Sequence, residues 1–217
     1  AAYTATATIA GQTITGTGKV DTLRGSTGAD TINAGAGADT IHANAGGDTI
    51  DGGAGTDTFV NTGMVGNVEG TGAGTSTGIV VNLSASAITA ATVVGTVSQN
   101  LSGSLTSVEA GKVAYLYNGE LSTNSAAVDT ISNVENIDLS GANGINYVVG
   151  SAAANTVTGG SGVDTISGGA GNDSITGAAG KLGKSLSKSI LENNGKIVMA
   201  DINADKLFNL AKTLPSN

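Results

Sequence analysis

Between Gly25 and Val60 a large apolar residue returns every nine positions, as Ile32, Ile41, Ile50 and Phe59, each preceded by a threonine. The register runs back through Leu23 to Ile14. Around each of these positions the side chains are β-branched and suit a strand of about three residues, with the apolar residue pointing inward and its neighbours outward. The preceding half of each unit (GSTGAD, AGAGAD, ANAGGD, GGAGTD) is rich in glycine, which alone enters positive-φ backbone without steric penalty, and predicts a sharp turn. A nine-residue unit cannot bury its own apolar residue, so the units must stack. The pattern therefore predicts an all-β solenoid: turn, short strand, turn, short strand.

The rest of the chain falls around this stretch. Residues 1–15 alternate Thr with Ala and Ile and read as strand. Gly16 to Arg24 is an atypical copy, with Lys19 where glycine is expected. From Asn61 to Ile131 the period is lost; 78–83 and 112–117 read as strands between Ser/Thr/Asn/Gly turns, in a β-rich insertion that continues or packs on the solenoid. The period of nine then returns at Leu139, Val148, Val157, Ile166 and Ile175. After Lys181 the spacing becomes helical, with Leu182, Leu186 and Ile190 on one face and Gly195 as a stop. Ile197 to Met199 reads as a strand, and Asn203 caps a helix carrying Leu207, Phe208, Leu210, Ala211 and Leu214, closed by Pro215. The expected division is a first block at 1–60, an insertion at 61–140, a second block at 141–180 and a helical tail at 181–217.

Composition narrows the function. Among 217 residues there are 35 Gly, one Pro, no Cys and no Trp, so neither an aromatic core nor disulfides nor thiolate metal sites are available. The net charge is −8, and the first 180 residues hold fourteen acids against three bases, which argues against a nucleic-acid partner. No run approaches the roughly 18 apolar residues of a membrane helix. Ala1 to Ala10 lacks the basic start and apolar centre of a secretory signal, so an export address is expected elsewhere. With a single histidine, His42, at an outward ninth place, the H-E-x-x-H metalloprotease motif cannot form, and no enzymatic activity is expected. Glu69, Glu109 and Glu120 read as surface charge. The third and fifth places of the units form no row of Thr or Asn, which argues against an ice-binding face.

The sixth places carry the chemistry. Asp21, Asp30, Asp39, Asp48 and Asp57 occupy them in the first block, and Asn146, Asn155, Asp164 and Asp173 in the second. These residues either bond local turn backbone or, since aligned carboxylates repel, share cations. Gly52 to Phe59, Gly159 to Ser167 and Gly168 to Ile175 match G-G-x-G-x-D-x-U-x in full. In this the chain resembles the repeats-in-toxin (RTX) family, whose nonapeptides form a calcium-binding parallel β-roll. Calcium takes six to eight oxygens, which carboxylates and free turn carbonyls can supply.

The resemblance implies a right-handed parallel β-roll in which two repeats make one coil and several Ca2+ ions lie between repeat n and repeat n+2. It pairs Asp21 with Asp39, Asp39 with Asp57 and Asp30 with Asp48. It also implies carbonyl ligands: Thr17, Lys19, Ala34 and Ala36 at one site; Ser26, Gly28, Ala43 and Ala45 at the next; Gly35, Gly37, Gly52 and Ala54 at the third. In the second block it places Asp164 over Asn146 and Asp173 over Asn155, as weaker sites. Family members leave bacteria by type I secretion through a C-terminal signal, so the 181–217 tail is expected to be such a signal or a cap on the roll. The implied function is a calcium-folding structural module of a secreted or cell-surface bacterial protein, a surface layer or adhesin, whose partners are calcium and either its own copies or surface polysaccharide, with no membrane insertion. The alternative is the folding and secretion domain of an exported hydrolase.

Overall fold

The computed structural model describes residues 2–61, 76–89, 107–117, 120–121, 128–142, 144–160, 162, 164–176 and 199–200. The first block forms β1 (Thr4–Thr6), β2 (Thr13–Thr15), β3 (Thr22–Arg24), β4 (Thr31–Asn33), β5 (Ala36–Gly37), β6 (Thr40–His42), β7 (Thr49–Asp51), β8 (Ala54–Gly55) and β9 (Thr58–Val60). The middle segment adds β10 (Ser76–Asn82), β11 (Ile88–Thr89), β12 (Ser107–Val108), β13 (Lys112–Tyr117), β14 (Glu120–Leu121) and β15 (Asp129–Ser132). Last come β16 (Asn136–Asp138), β17 (Tyr147–Val149), β18 (Thr156–Thr158), β19 (Thr165–Ser167), β20 (Ser174–Thr176) and β21 (Met199–Ala200).

Successive repeats send their strands to opposite sheets. One sheet runs β1-β3-β6-β9-β16-β18-β20-β21 and the other β2-β4-β7-β15-β13-β10-β17-β19, so both repeat blocks belong to one solenoid. The nine-residue period becomes an eighteen-residue parallel register: Ile14 lies beside Ile32, Ile32 beside Ile50, Leu23 beside Ile41 and Ile41 beside Phe59. These side chains meet between the sheets with Ile137, Val148, Val157, Ile166 and Ile175 in one core. Fully burying each is worth ~1.5–3 kcal/mol. The turns stack as closely as the strands. Gly53, at φ 89°, has the Gly35 carbonyl so near that a side chain there would strike backbone.

Outside the core, the seventh places form a row that the third and fifth places lack. Thr4, Thr22, Thr40 and Thr58 stand in register, as do Thr13, Thr31, Thr49 and Thr130. The adjoining ninth places are mixed, with Arg24, the partly buried His42 and Val60 side by side.

The insertion joins the roll rather than packing beside it. After β9 the chain does not lay the next strand on β7; β10 pairs with β17, β13 returns antiparallel, and β15 then settles parallel on β7. Period-two alternation serves two cores at once. Ile79, Val81, Val113 and Tyr115 enter the main core, while Val80, Ala114 and Leu116 meet Ile88 and Val108 of the β11–β12 pair.

Two sequence expectations shift. Leu139 does not hold the eighth place; Ile137 does, beside Phe59 and Val157, and Leu139 is buried just beyond β16. The cause is the β16–β17 turn of eight residues, Leu139 to Asn146, where Gly52 to Asp57 make a turn of six. The tail strand is found at Met199–Ala200, paired with β20. The helices expected over 182–190 and 203–214, and Glu69, lie outside the described residues. Glu109 is exposed and accepts from the Ser107 hydroxyl. Among the described residues there is no helix, hence none long and apolar enough to cross a membrane.

Candidate metal centre

Because each sixth-place residue immediately precedes a strand, the stacked strands carry these residues into two columns. Asp21, Asp39 and Asp57 form one, and Asp30 and Asp48 the other. Each carboxylate is tied to the turn eighteen residues earlier. Asp39 Oδ1 accepts the Asp21 N–H at 2.7 Å, Asp57 Oδ1 the Asp39 N–H at 2.8 Å, and Asp48 Oδ1 the Asp30 N–H at 2.8 Å. The Tyr3 and Gln12 N–H groups begin the two columns on Asp21 and Asp30. All five aspartates are buried, none more than 3% exposed.

The second oxygen separates the copies. Asp21 Oδ2 accepts from the Thr17 N–H and hydroxyl, and Asp30 Oδ2 from the Ser26 N–H and hydroxyl. The later copies have Gly35, Asn44 and Gly53 at that second place, and the Oδ2 atoms of Asp39, Asp48 and Asp57 are buried with no hydrogen-bond partner. A buried, unsatisfied carboxylate oxygen is costly. The electrostatics follow the bonding. Burial raises the Asp39, Asp48 and Asp57 carboxyls, with the charge of the preceding aspartate adding to it against one backbone hydrogen bond each; Asp48 is pushed up to about 7. Burial acts on Asp21 and Asp30 too, but the bonds from Thr17 and Ser26 outweigh it and hold both below the ordinary range.

Backbone oxygens gather at the same turns. A Cβ built on Gly16 would strike the Ala34 carbonyl and stand 2.9 Å from Asp21 Oδ2; on Gly25 it would strike the Ala43 carbonyl and stand 3.4 Å from Asp30 Oδ2. The absence of a side chain there thus keeps a space where a first-place carbonyl and a carboxylate converge. The Lys19, Gly28 and Gly37 carbonyls lie against the fourth-place glycines of the turns above, Gly37, Gly46 and Gly55. The Thr17 and Gly35 carbonyls accept the Ala36 and Ala54 N–H groups, using one of two lone pairs each. Ser26, Ala45 and Gly52 belong to the same stacked turns. Among the described residues no three His, Cys, Asp or Glu side chains come together. A cation here would draw on two carboxylates and on carbonyls, a hard oxygen set suited to calcium and unlike the N/S sets of zinc.

The second block is built of the same parts with fewer charges. Asn146 donates from Nδ2 to Asp164 Oδ1 at 2.8 Å, and the Asn155 N–H donates to Asp173 Oδ1 at 2.9 Å. Both expected pairs are therefore brought together. Asn155 Oδ1 accepts from Ser151, again a second-place hydroxyl residue, and its Nδ2 donates to the Glu135 carbonyl. Asp164 Oδ2 and Asn146 Oδ1 are left without partners, and burial raises the Asp164 carboxyl.

Two further acids take sixth places. Asp129, fully buried, accepts the Asp48 N–H on Oδ1 at 3.0 Å and the Tyr115 hydroxyl on Oδ2 at 3.0 Å, and Asn61 Nδ2 donates to that hydroxyl at 2.8 Å. Burial pushes both the Asp129 carboxyl and the Tyr115 phenol well up. Glu135 Oε2 accepts the Asp57 N–H at 2.9 Å. The signal for Asp129 was present in Asp129-Thr130-Ile131, the same tripeptide as in the repeats, but without the glycine turn that marks them.

A serine-hydrolase spacing, G-x-S-x-G, also occurs once, from Gly74 to Gly78. Ser76 there begins β10 instead of standing on a strand-to-helix elbow, and His42, the sole histidine, lies in the opposite sheet.

The model of the RTX calcium-binding nonapeptide repeat matches four copies, over residues 15–50, 24–59 and 140–180. No curated protein matches the chain.

Proposed function

We propose that this chain, which belongs by its repeats to the RTX calcium-binding family, is a non-catalytic structural module of a secreted or cell-surface bacterial protein whose folding depends on calcium. One observation carries the reading: Asp39, Asp48 and Asp57 each hold a buried Oδ2 with no partner, in turns where carbonyl oxygens converge. The residues that would hold the ions are the stacked aspartates, Asp39 serving the turns on both sides, together with the carbonyls of Thr17, Lys19, Ala34, Ala36, Ser26, Gly28, Ala43, Ala45, Gly35, Gly37, Gly52 and Ala54. Bound calcium supplies the positive charge that the paired carboxylates lack.

A cation that binds only the folded chain stabilises it by RT ln(1 + [L]/Kd) per site. Extracellular calcium modules work with Kd on the order of 10⁻⁴–10⁻³ M. Such a module is only marginally stable in the low calcium of the cytosol and completes its folding once exported. A surface-layer or adhesin role is supported by the Ala/Thr/Gly/Ser-rich, cysteine-free composition.

Circular dichroism of the chain in EGTA and in millimolar calcium tests the reading. The β signal is expected to grow with added calcium, and an identical spectrum in both would sink it. A calcium-driven two-dimensional lattice under the electron microscope would support the surface-layer role.

A further inference from the structure

We propose a divalent-cation site at the end of the first run of nonapeptide repeats, formed by Asp57 with Glu135, a residue outside those repeats, where the chain rejoins the roll after the insertion. It rests on the reading of stacked turns as calcium sites and extends that reading to a residue that no repeat motif contains.

Glu135 stands in the column of Asp21, Asp39 and Asp57, directly before β16, which pairs with β9. Its Oε2 takes the Asp57 N–H at 2.9 Å, the bond that Asp57 Oδ1 makes to Asp39 and Asp39 Oδ1 to Asp21. Asp57 is 0% exposed, and its Oδ2 has no partner. That oxygen is aimed at the space beside Gly52: a Cβ there would stand 2.8 Å from Asp57 Oδ2 and strike the Asn133 carbonyl. Gly16, with Asp21 and the Ala34 carbonyl, shows the same arrangement inside the repeats.

The departure from the motif follows from turn length. Only Asn133, Val134 and Glu135 separate β15 from β16, where Gly52 to Asp57 separate β7 from β9. Glutamate has one more methylene than aspartate, which gives it reach from a turn this short. The turn is fastened in place: Asn133 takes φ 50°, its Nδ2 donates to Asp51 Oδ1 at 2.8 Å, and the Glu135 and Asn136 N–H groups both donate to the Asp57 carbonyl. Two carboxylates and the Asn133 carbonyl make a hard oxygen set with the charge to hold a divalent cation.

The test compares the full chain with its Glu135→Gln variant, counting calcium bound per chain by elemental analysis after gel filtration in millimolar calcium. Glutamine keeps the length and the oxygen that accepts the Asp57 N–H, so the turn is retained. The variant is expected to hold about one ion fewer and to resist unfolding in EGTA better, because one of two facing charges is gone. An unchanged ion count overturns the proposal. Parental chain without bound calcium would instead overturn the reading on which it rests. Glu135→Asp, charged but shorter, is expected to weaken the last-filling step of a calcium titration; filling identical to the parent would likewise count against the site.

Discussion

The two repeat blocks share a backbone and differ in what faces what. In the first, aspartate lies over aspartate: Asp39 Oδ1 takes the Asp21 N–H, and its Oδ2 is left alone. In the second, Asn146 lies with Asp164 and donates to it, while Asn155 is satisfied on both its oxygen and its nitrogen. A level of the first block thus brings two charges out of water, and a level of the second only one. For unit charges 4 Å apart near a protein surface the repulsion is roughly 4 kcal/mol, more than one buried apolar side chain contributes. The same turn can therefore depend more or less strongly on a cation, according to a single atom at the sixth place. The largest expected effect follows directly. In EGTA, amide hydrogen exchange of the full chain should show strands β3 to β9 losing protection well before β17 to β20; simultaneous loss would dissolve the distinction.

Exchanging the sixth-place atoms should exchange the behaviours, with smaller effects. Asp39→Asn makes a first-block level resemble the second and is expected to raise the calcium-free melting temperature by several degrees, as a gain of ~1 kcal/mol would, while lowering calcium affinity. Asp21→Asn should do less for calcium-free stability, since Asp21 Oδ2 is already bonded to Thr17. Asn146→Asp is the converse: lower calcium-free stability and tighter calcium. Differential scanning calorimetry of the three variants with and without calcium decides the matter, and shifts of the opposite sign would break the comparison.

Legibility in the sequence followed the period. Where nine residues recur, from Ile14 to Phe59 and from Val148 to Ile175, strand positions, inward residues and eighteen-residue pairing could all be read, because each turn has the same length. Asp129 and Glu135 escaped because they are in the columns by topology: the chain reaches them only after β10 and β13 have been wedged into one sheet. Leu139 misled because the turn from β16 to β17 is two residues longer than a repeat turn, which shifts the count. The role of the second place was written in the sequence and is clear only with the geometry. Thr17, Ser26 and Ser151 each bond the sixth-place residue of their own copy, where Gly35 and Gly53 leave a buried Oδ2 without a partner.

The smallest effect is the dependence on pH, and its sign separates the two kinds of carboxylate. Asp48 ionises at about 7 in the fold against 3.8 ordinarily, raised first by burial and then by Asp30. A proton therefore binds the folded chain more tightly, so this contribution to calcium-free stability is full below about pH 4 and is lost as pH rises through 7. Asp39 and Asp57 act in the same direction. Asp21 and Asp30, held low by Thr17 and Ser26, act oppositely: their stabilisation is present above the ordinary value and is lost as pH falls below it. Together these place the calcium-free optimum at about pH 4, with stability falling from there toward about pH 7. The calcium-free chain should melt higher at about pH 5 than at about pH 8, while the calcium needed for half-folding should rise on acidification, because proton and cation compete for the same oxygens. Thermal melts at the two pH values in EGTA measure the first, and Asp48→Asn should flatten the slope. A slope unchanged by that substitution would move the proton off Asp48 and onto another member of the column.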